Sequence, residues 1–122
     1  MKVLDTNVII EYLKGVPEVV HTLDELRVAG EEFSISVITE IELLAHPQRT
    51  DDDLDQISQW LQSIQIVPLD SVLARPIADM KRQYRLGIAD CIIAATAELL
   101  GADLITKDAG LKRLKNIRVI SP

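Results

Sequence analysis

The sequence predicts an α/β fold in three layers, a mainly parallel sheet of about five strands between two layers of helices. Three observations carry that expectation. Short apolar runs alternate with stretches of helical periodicity along the whole chain, the signature of strands linked by helical crossovers. The connections between them are short, with no repeat, low-complexity tract or Gly/Ser linker, so residues 1–122 are expected to form a single domain. Hydrophobic residues make up 48% of the 122 and aromatic residues only 3%, so the core must be built from Ile, Leu, Val and Ala.

The first strand is the apolar run Lys2-Val3-Leu4, ending at Asp5. Asn7 to Leu13 has helical character, punctuated by Gly15 and Pro17. Pro17 suits the first turn of a second helix, with Val19, Val20, Leu23 and Leu26 at helical spacing. Phe33-Ser34-Ile35 is the next strand, after which Ser36 is placed to cap a helix whose apolar side is Val37, Ile38, Ile41, Leu44 and Ala45. His46-Pro47 stops it. Thr50 then caps a helix that opens with Asp51, Asp52 and Asp53, acids suited to the positive end of a helix, and continues its face through Ile57, Leu61 and Ile64. Gln65 to Pro68 reads as a strand, and Asp70 or Ser71 caps a helix through Tyr84. Leu86-Gly87 breaks the chain before a helix from about Ala89 to Leu100, stopped by Gly101. Leu104-Ile105-Thr106 and Ile117 to Ile120 are the last two strands.

Composition narrows the setting. Cys91 is the only cysteine, so no disulfide closes within the chain and a reducing cytoplasm is expected. No uncharged run approaches the length of a membrane span, and the acids at Asp5 and Glu11 rule out an ordinary signal peptide at this N-terminus. The net charge of −6 is unfavourable for phosphate binding, but it is unevenly spread. Residues 1–70 carry 14 acidic and 4 basic side chains; residues 71–122 carry 5 and 9. The basic set of Lys81, Arg82, Arg85, Lys107, Lys112, Arg113, Lys115 and Arg118 permits a nucleic-acid partner without indicating one, since solvated helix faces account for it equally.

Four acids fall at one edge of the expected sheet. In open parallel sheets, ligands bind outside the carboxyl ends of the strands, where strand order reverses. Asp5 ends the first strand, Glu42 lies early on the helix after the second, Asp90 opens the helix after Gly87, and Asp108 follows Leu104-Ile105-Thr106 by two residues. Gathered carboxylates repel one another, and a hard divalent cation relieves that repulsion. An all-oxygen donor set favours Mg²⁺ or Mn²⁺ over zinc, and His21 and His46 are isolated. A cation held this way activates water and stabilises charge on a phosphodiester under in-line attack, although phosphatases use the same parts. Each acid also has a local explanation. Asp5 can cap its helix, Glu42 has capping-box spacing with Thr39, Asp90 complements a helix dipole, and Asp108 suits a turn with Ala109-Gly110.

The motifs resemble a known family. Val3-Leu4-Asp5-Thr6-Asn7-Val8-Ile9-Ile10 is similar to the opening of PIN-domain proteins. Ile35 through Leu44, with Glu42 just before Leu43, resembles their second motif. Ile88 through Ala97, with Asp90, resembles the third, and Leu104 through Asp108 the fourth. The nearest relatives in style are the VapC-type toxins of bacterial and archaeal toxin–antitoxin systems. The resemblance implies a PIN-like fold and a Mg²⁺-dependent endoribonuclease, usually dimeric and silenced by a cognate antitoxin. It implies Asp5 and Asp90 as metal ligands, Glu42 and Asp108 as the acids that complete the shell or orient water, and Thr6, Asn7 and Thr106 as supporting polar residues. Glu40, two positions from Glu42, competes with it for the second acid. The second motif departs from the family in running on to Ala45-His46-Pro47 where a glycine is usual. A DNA nuclease or phosphoesterase, and a catalytically silent binding module, are the competing functions.

Overall fold

A computed structural model describes residues 1–122. Five parallel strands form one sheet: β1 (Lys2–Leu4), β2 (Phe33–Ser36), β3 (Gln65–Val67), β4 (Asp103–Ile105) and β5 (Val119–Ile120), in the order β3-β2-β1-β4-β5. The helices are α1 (Thr6–Lys14), α2 (Pro17–Val28), α3 (Val37–Ala45), α4 (Asp51–Leu61), α5 (Ala74–Tyr84) and α6 (Ile88–Leu100). The architecture is the expected three-layer α/β/α sandwich. β1 is central, with Val3 opposite Ser34 on β2 and Leu104 on β4. Strand order reverses there, which places the crevice beyond the carboxyl ends of β1 and β4.

Alternation along the strands divides the core. Val3 and Leu104 face one way, packing with Ile77 and Met80 of α5 and Cys91, Ile93, Ala94 and Ala97 of α6. Leu4, Ile35 and Ile105 face the other way, against Val8 and Ile9 of α1, Val19 and Leu23 of α2, Leu43 of α3 and Ile57 of α4. The alanines of α6 let that helix lie close, and seven consecutive residues, Cys91–Ala97, are buried. No helix is long and apolar enough to cross a membrane.

Local chemistry explains where the helices begin and end. Gly15 reverses the chain between α1 and α2 at φ 81°, a conformation costly for a residue with a Cβ. Pro17 opens α2 where its missing N–H is harmless. Ser36 caps α3 by accepting from Ile38 N–H at 3.1 Å. Thr50 and Asp53 form a reciprocal capping box on α4. His46 ends α3 and accepts from Gln48 N–H, while His21 sits exposed beside Glu25.

Several element ends differ from expectation by a residue or so, and three of the differences have a local cause or consequence. The helix expected from Asp70 or Ser71 starts as a separate 3-10 turn, Ser71–Leu73, capped by Asp70, and α5 proper begins at Ala74. Pro76 has no N–H to bond the Val72 carbonyl, so a continuous α-helix cannot form there. The strand expected over Leu104–Thr106 is Asp103–Ile105, although Thr106 N–H still reaches Ile120 O at 3.0 Å. The last strand shrinks to Val119–Ile120, because the backbone bends over residues 115–117.

Candidate metal centre

Asp5 stands where β1 becomes α1, its N–H bonded to Ile105 O of β4 at 3.0 Å. It is 5% exposed. One carboxylate oxygen accepts from Thr6 N–H at 2.8 Å, capping α1, and the other accepts from Thr106 Oγ1 at 2.6 Å. Capping is therefore performed by a residue that also faces the crevice, so the local explanation and the site explanation both hold for Asp5. Burial raises the Asp5 carboxyl above its ordinary value, with the charges of Asp108 and Glu42 adding to it, against the bonds from Thr106 and Thr6.

The other acids arrive from three further segments. Thr6 Oγ1 donates to Glu42 Oε1 at 2.7 Å and lies 3.1 Å from Thr39 Oγ1. This pairing turns Glu42, and not Glu40, toward Asp5, as two residues two apart on one helix cannot share a face. Thr39 is fully buried and bonds Thr6 between α1 and α3 rather than forming a capping box with Glu42. Thr106 Oγ1 accepts from Asp108 N–H at 3.0 Å, and Asp108 Oδ1 accepts from Gly110 N–H at 2.7 Å, so the expected turn is present too. Asp90 occupies the first turn of α6. Its carboxyl is also raised, by burial first and then by the charges of Asp108, Asp5 and Glu42. The charges of Asp108 and Glu42 thus bear on both Asp5 and Asp90.

A shallow depression of about 330 Å³ is lined by Asp5, Asn7, Val8, Ile10, Glu11, Lys107 and Asp108. Asn7 is exposed on its wall. Lys107 is exposed and also paired: its ammonium lies 3.0 Å from Glu11 Oε2 and 3.2 Å from Glu18 Oε1, and Glu11 first, then Glu18, raise its pKa. No three carboxylates converge into a ready-made cage. The donor set nevertheless fits a hard divalent cation: it is all oxygen, and two of its members, Asp5 and Asp90, are raised partly by the charge of neighbouring carboxylates, a cost that a cation removes.

Sequence reasoning missed Thr39, Glu11 and Glu18. Thr39 precedes Glu42 by three positions on one helix face, and Glu11 follows Asn7 by four on another. Those spacings were the available signal.

Comparison with known proteins agrees with this geometry. A sequence model of the PIN domain matches residues 2–117. Ribonuclease VapC19 of Mycobacterium tuberculosis is 31% identical over 111 residues, covering 87% of this chain and 87% of that protein. The DNA-bound VapBC structure from Salmonella typhimurium superposes with a TM-score of 0.85 at 22% identity, over 98% of this chain and 96% of that one, a likeness of fold. FitAcB from Neisseria gonorrhoeae superposes with a TM-score of 0.78 at 29% identity, over 98% and 96%.

Proposed function

The chain belongs to the PIN domain family, and from that premise we propose that it is a Mg²⁺-dependent endoribonuclease, the toxin of a toxin–antitoxin pair. The observation that carries this reading is the set of four carboxylates, Asp5, Glu42, Asp90 and Asp108, drawn from four segments to one sheet edge, where the charges of Asp108 and Glu42 help to raise the carboxyls of Asp5 and Asp90. The similarity to a protein named a ribonuclease supports RNA as substrate, and the likeness to VapBC and FitAcB supports an antitoxin partner. The same reading takes residues 1–122 as one cytoplasmic nuclease domain that forms a homodimer.

Asp5 and Asp90 hold the cation, Mg²⁺ or Mn²⁺. When bound, it lowers the pKa of water and neutralises charge developing on the phosphodiester. Thr106 and the Thr6 N–H fix both oxygens of Asp5, so its carboxylate has one orientation. Thr6 likewise fixes Glu42. Glu42 and Asp108 orient the attacking water and accept its proton at a carboxylate oxygen. Asn7 contributes a neutral polar edge to the wall of the depression. All four acids are present, whereas a silent binding module is free to lose them.

Cleavage of a mixed RNA and single-stranded DNA panel tests the proposal, with Mg²⁺ and with EDTA, beside Asp5→Asn and Asp90→Asn. RNA cleavage that needs the metal and disappears in both variants is expected. Cleavage confined to DNA moves the assignment to a DNA nuclease. A folded wild type that binds Mg²⁺ and cleaves neither polymer refutes a general ribonuclease.

A further inference from the structure

Lys107 is the one basic residue lining the depression that Asp5, Asn7 and Asp108 also line. An ammonium next to bare carboxylates is drawn to the nearest of them. Lys107 is adjacent to Asp108 in sequence and yet pairs with neither Asp108 nor Asp5. It is held from the opposite wall by Glu11 of α1, at 3.0 Å, and Glu18 of α2, to which Nζ donates at 3.2 Å. The hold is loose. Glu18 and Lys107 are solvent-exposed, and Glu11 Oε2, although buried, receives no well-directed hydrogen bond. Exposed pairs of this kind exchange readily for a better anion.

Several other cations are committed elsewhere, while Arg85, Lys112 and Arg113 do not line the depression. Lys81 Nζ donates to Leu86 O at 2.8 Å, closing the end of α5. Arg75 and Arg82 both pair with Asp79. Lys2 and Arg118 pair with Asp103 at the amino end of β4, across the sheet from the acids. An RNA chain approaching four carboxylates meets repulsion, and Lys107 is the side chain in the depression able to offset it.

We infer that Lys107 binds the RNA backbone phosphate beside the acidic centre, and that Glu11 and Glu18 are positioning residues that keep its ammonium off Asp5 and Asp108 until that phosphate arrives. The inference rests on the ribonuclease reading above. The two glutamates leave the cation-binding carboxylates unneutralised while storing a positive charge within reach of the substrate. Lys107 then adds one phosphate contact that carries no base information.

The test measures binding of a labelled single-stranded RNA by fluorescence anisotropy over a salt series. It uses the full chain with Mg²⁺ present and Asp90→Asn in every protein to prevent cleavage. Adding Lys107→Ala is expected to weaken binding several-fold, equally for RNAs of different sequence, and to reduce the slope of log affinity against log salt by about 0.7, one phosphate contact on a single strand. Lys107→Arg is expected to keep the slope. A second measurement, Mg²⁺ titration by calorimetry in the otherwise wild-type chain, is expected to show several-fold weaker binding in Glu11→Gln/Glu18→Gln and recovery when Lys107→Ala is added. An unchanged salt slope in Lys107→Ala overturns the phosphate contact, and an unchanged Mg²⁺ affinity in the double variant overturns the positioning role. A folded protein that neither binds nor cleaves RNA overturns the ribonuclease reading and this inference together. One that cleaves RNA indifferently to Lys107 overturns the inference alone.

Discussion

Asp90 is a carboxylate that the fold makes hard to ionise, through burial first and then the charges of Asp108, Asp5 and Glu42. Its folded pKa lies above its unfolded one. Between those two values the native state binds more protons than the unfolded state, so without metal, stability falls as pH rises through that window, and the deficit persists at neutral pH. Asp90→Asn removes the charge at similar volume. In EDTA at pH 7 the variant is expected to melt about 2–6 °C above wild type, with the gap closing in acid, where the wild-type Asp90 carboxyl is protonated in both the folded and the unfolded state. Added Mg²⁺ should then raise the melting temperature of wild type more than that of the variant. A variant that melts below wild type in EDTA contradicts this account. Asp5 is a poorer test of the same idea, since its two oxygens also accept from Thr6 and Thr106, and an amide replaces one acceptor with a donor.

Elements are controlled mainly at their ends. Gly101 stops α6 at φ 60° with open space around its missing Cβ, so Gly101→Ala tests backbone conformation alone. It is expected to cost about 1–2 kcal/mol, measured by urea denaturation, with no change in the slope of free energy against denaturant. Such punctuation was legible in the sequence: Gly15, Pro17, Ser36, Thr50 and Gly101 each act at the position their chemistry predicts. The acid that ends β1 and the one that opens α6 were legible for the same reason, because strand ends and helix starts show in local pattern. What was not legible depends on contact between elements. Nothing in the spacing of α3 says that Thr6, 36 residues away, fixes Glu42 in place of Glu40. Nor does a lysine beside an acid announce that it is held by α1 and α2. The 3-10 turn before α5 was overlooked because its acidic cap looks the same whether the first turn is tight or regular.

At the scale of the molecule, the sheet separates two apolar clusters, and α3 touches both, through Leu43 on one side and Ile38 on the other. Leu104 and Leu4, both fully buried, belong to opposite faces. Leu104→Ala and Leu4→Ala are each expected to destabilise by about 2–5 kcal/mol, the range for emptying a packed leucine site. If residues 1–122 fold as one domain, circular dichroism and the fluorescence of Trp60, on the Leu4 side, will report the same midpoint in both variants. Separate midpoints would mean that the two faces melt independently. The fold class itself was legible because alternating strand and helix patterns admit few arrangements. The strand order was not, since the late strand β4 inserts beside β1 by a long-range pairing that no local pattern encodes.

That late insertion has a consequence for how the protein is made. Asp5 leaves the ribosome well ahead of the hydroxyl that fixes it, which lies 101 positions behind, and Asp108 comes later still. β1 must wait for β4 before its own edge is filled. A nascent chain therefore holds Asp5 without the Thr106 hydroxyl, the β4 edge and Asp108 until β4 is made, and translation itself separates the making of the first strand from the completion of the acidic centre.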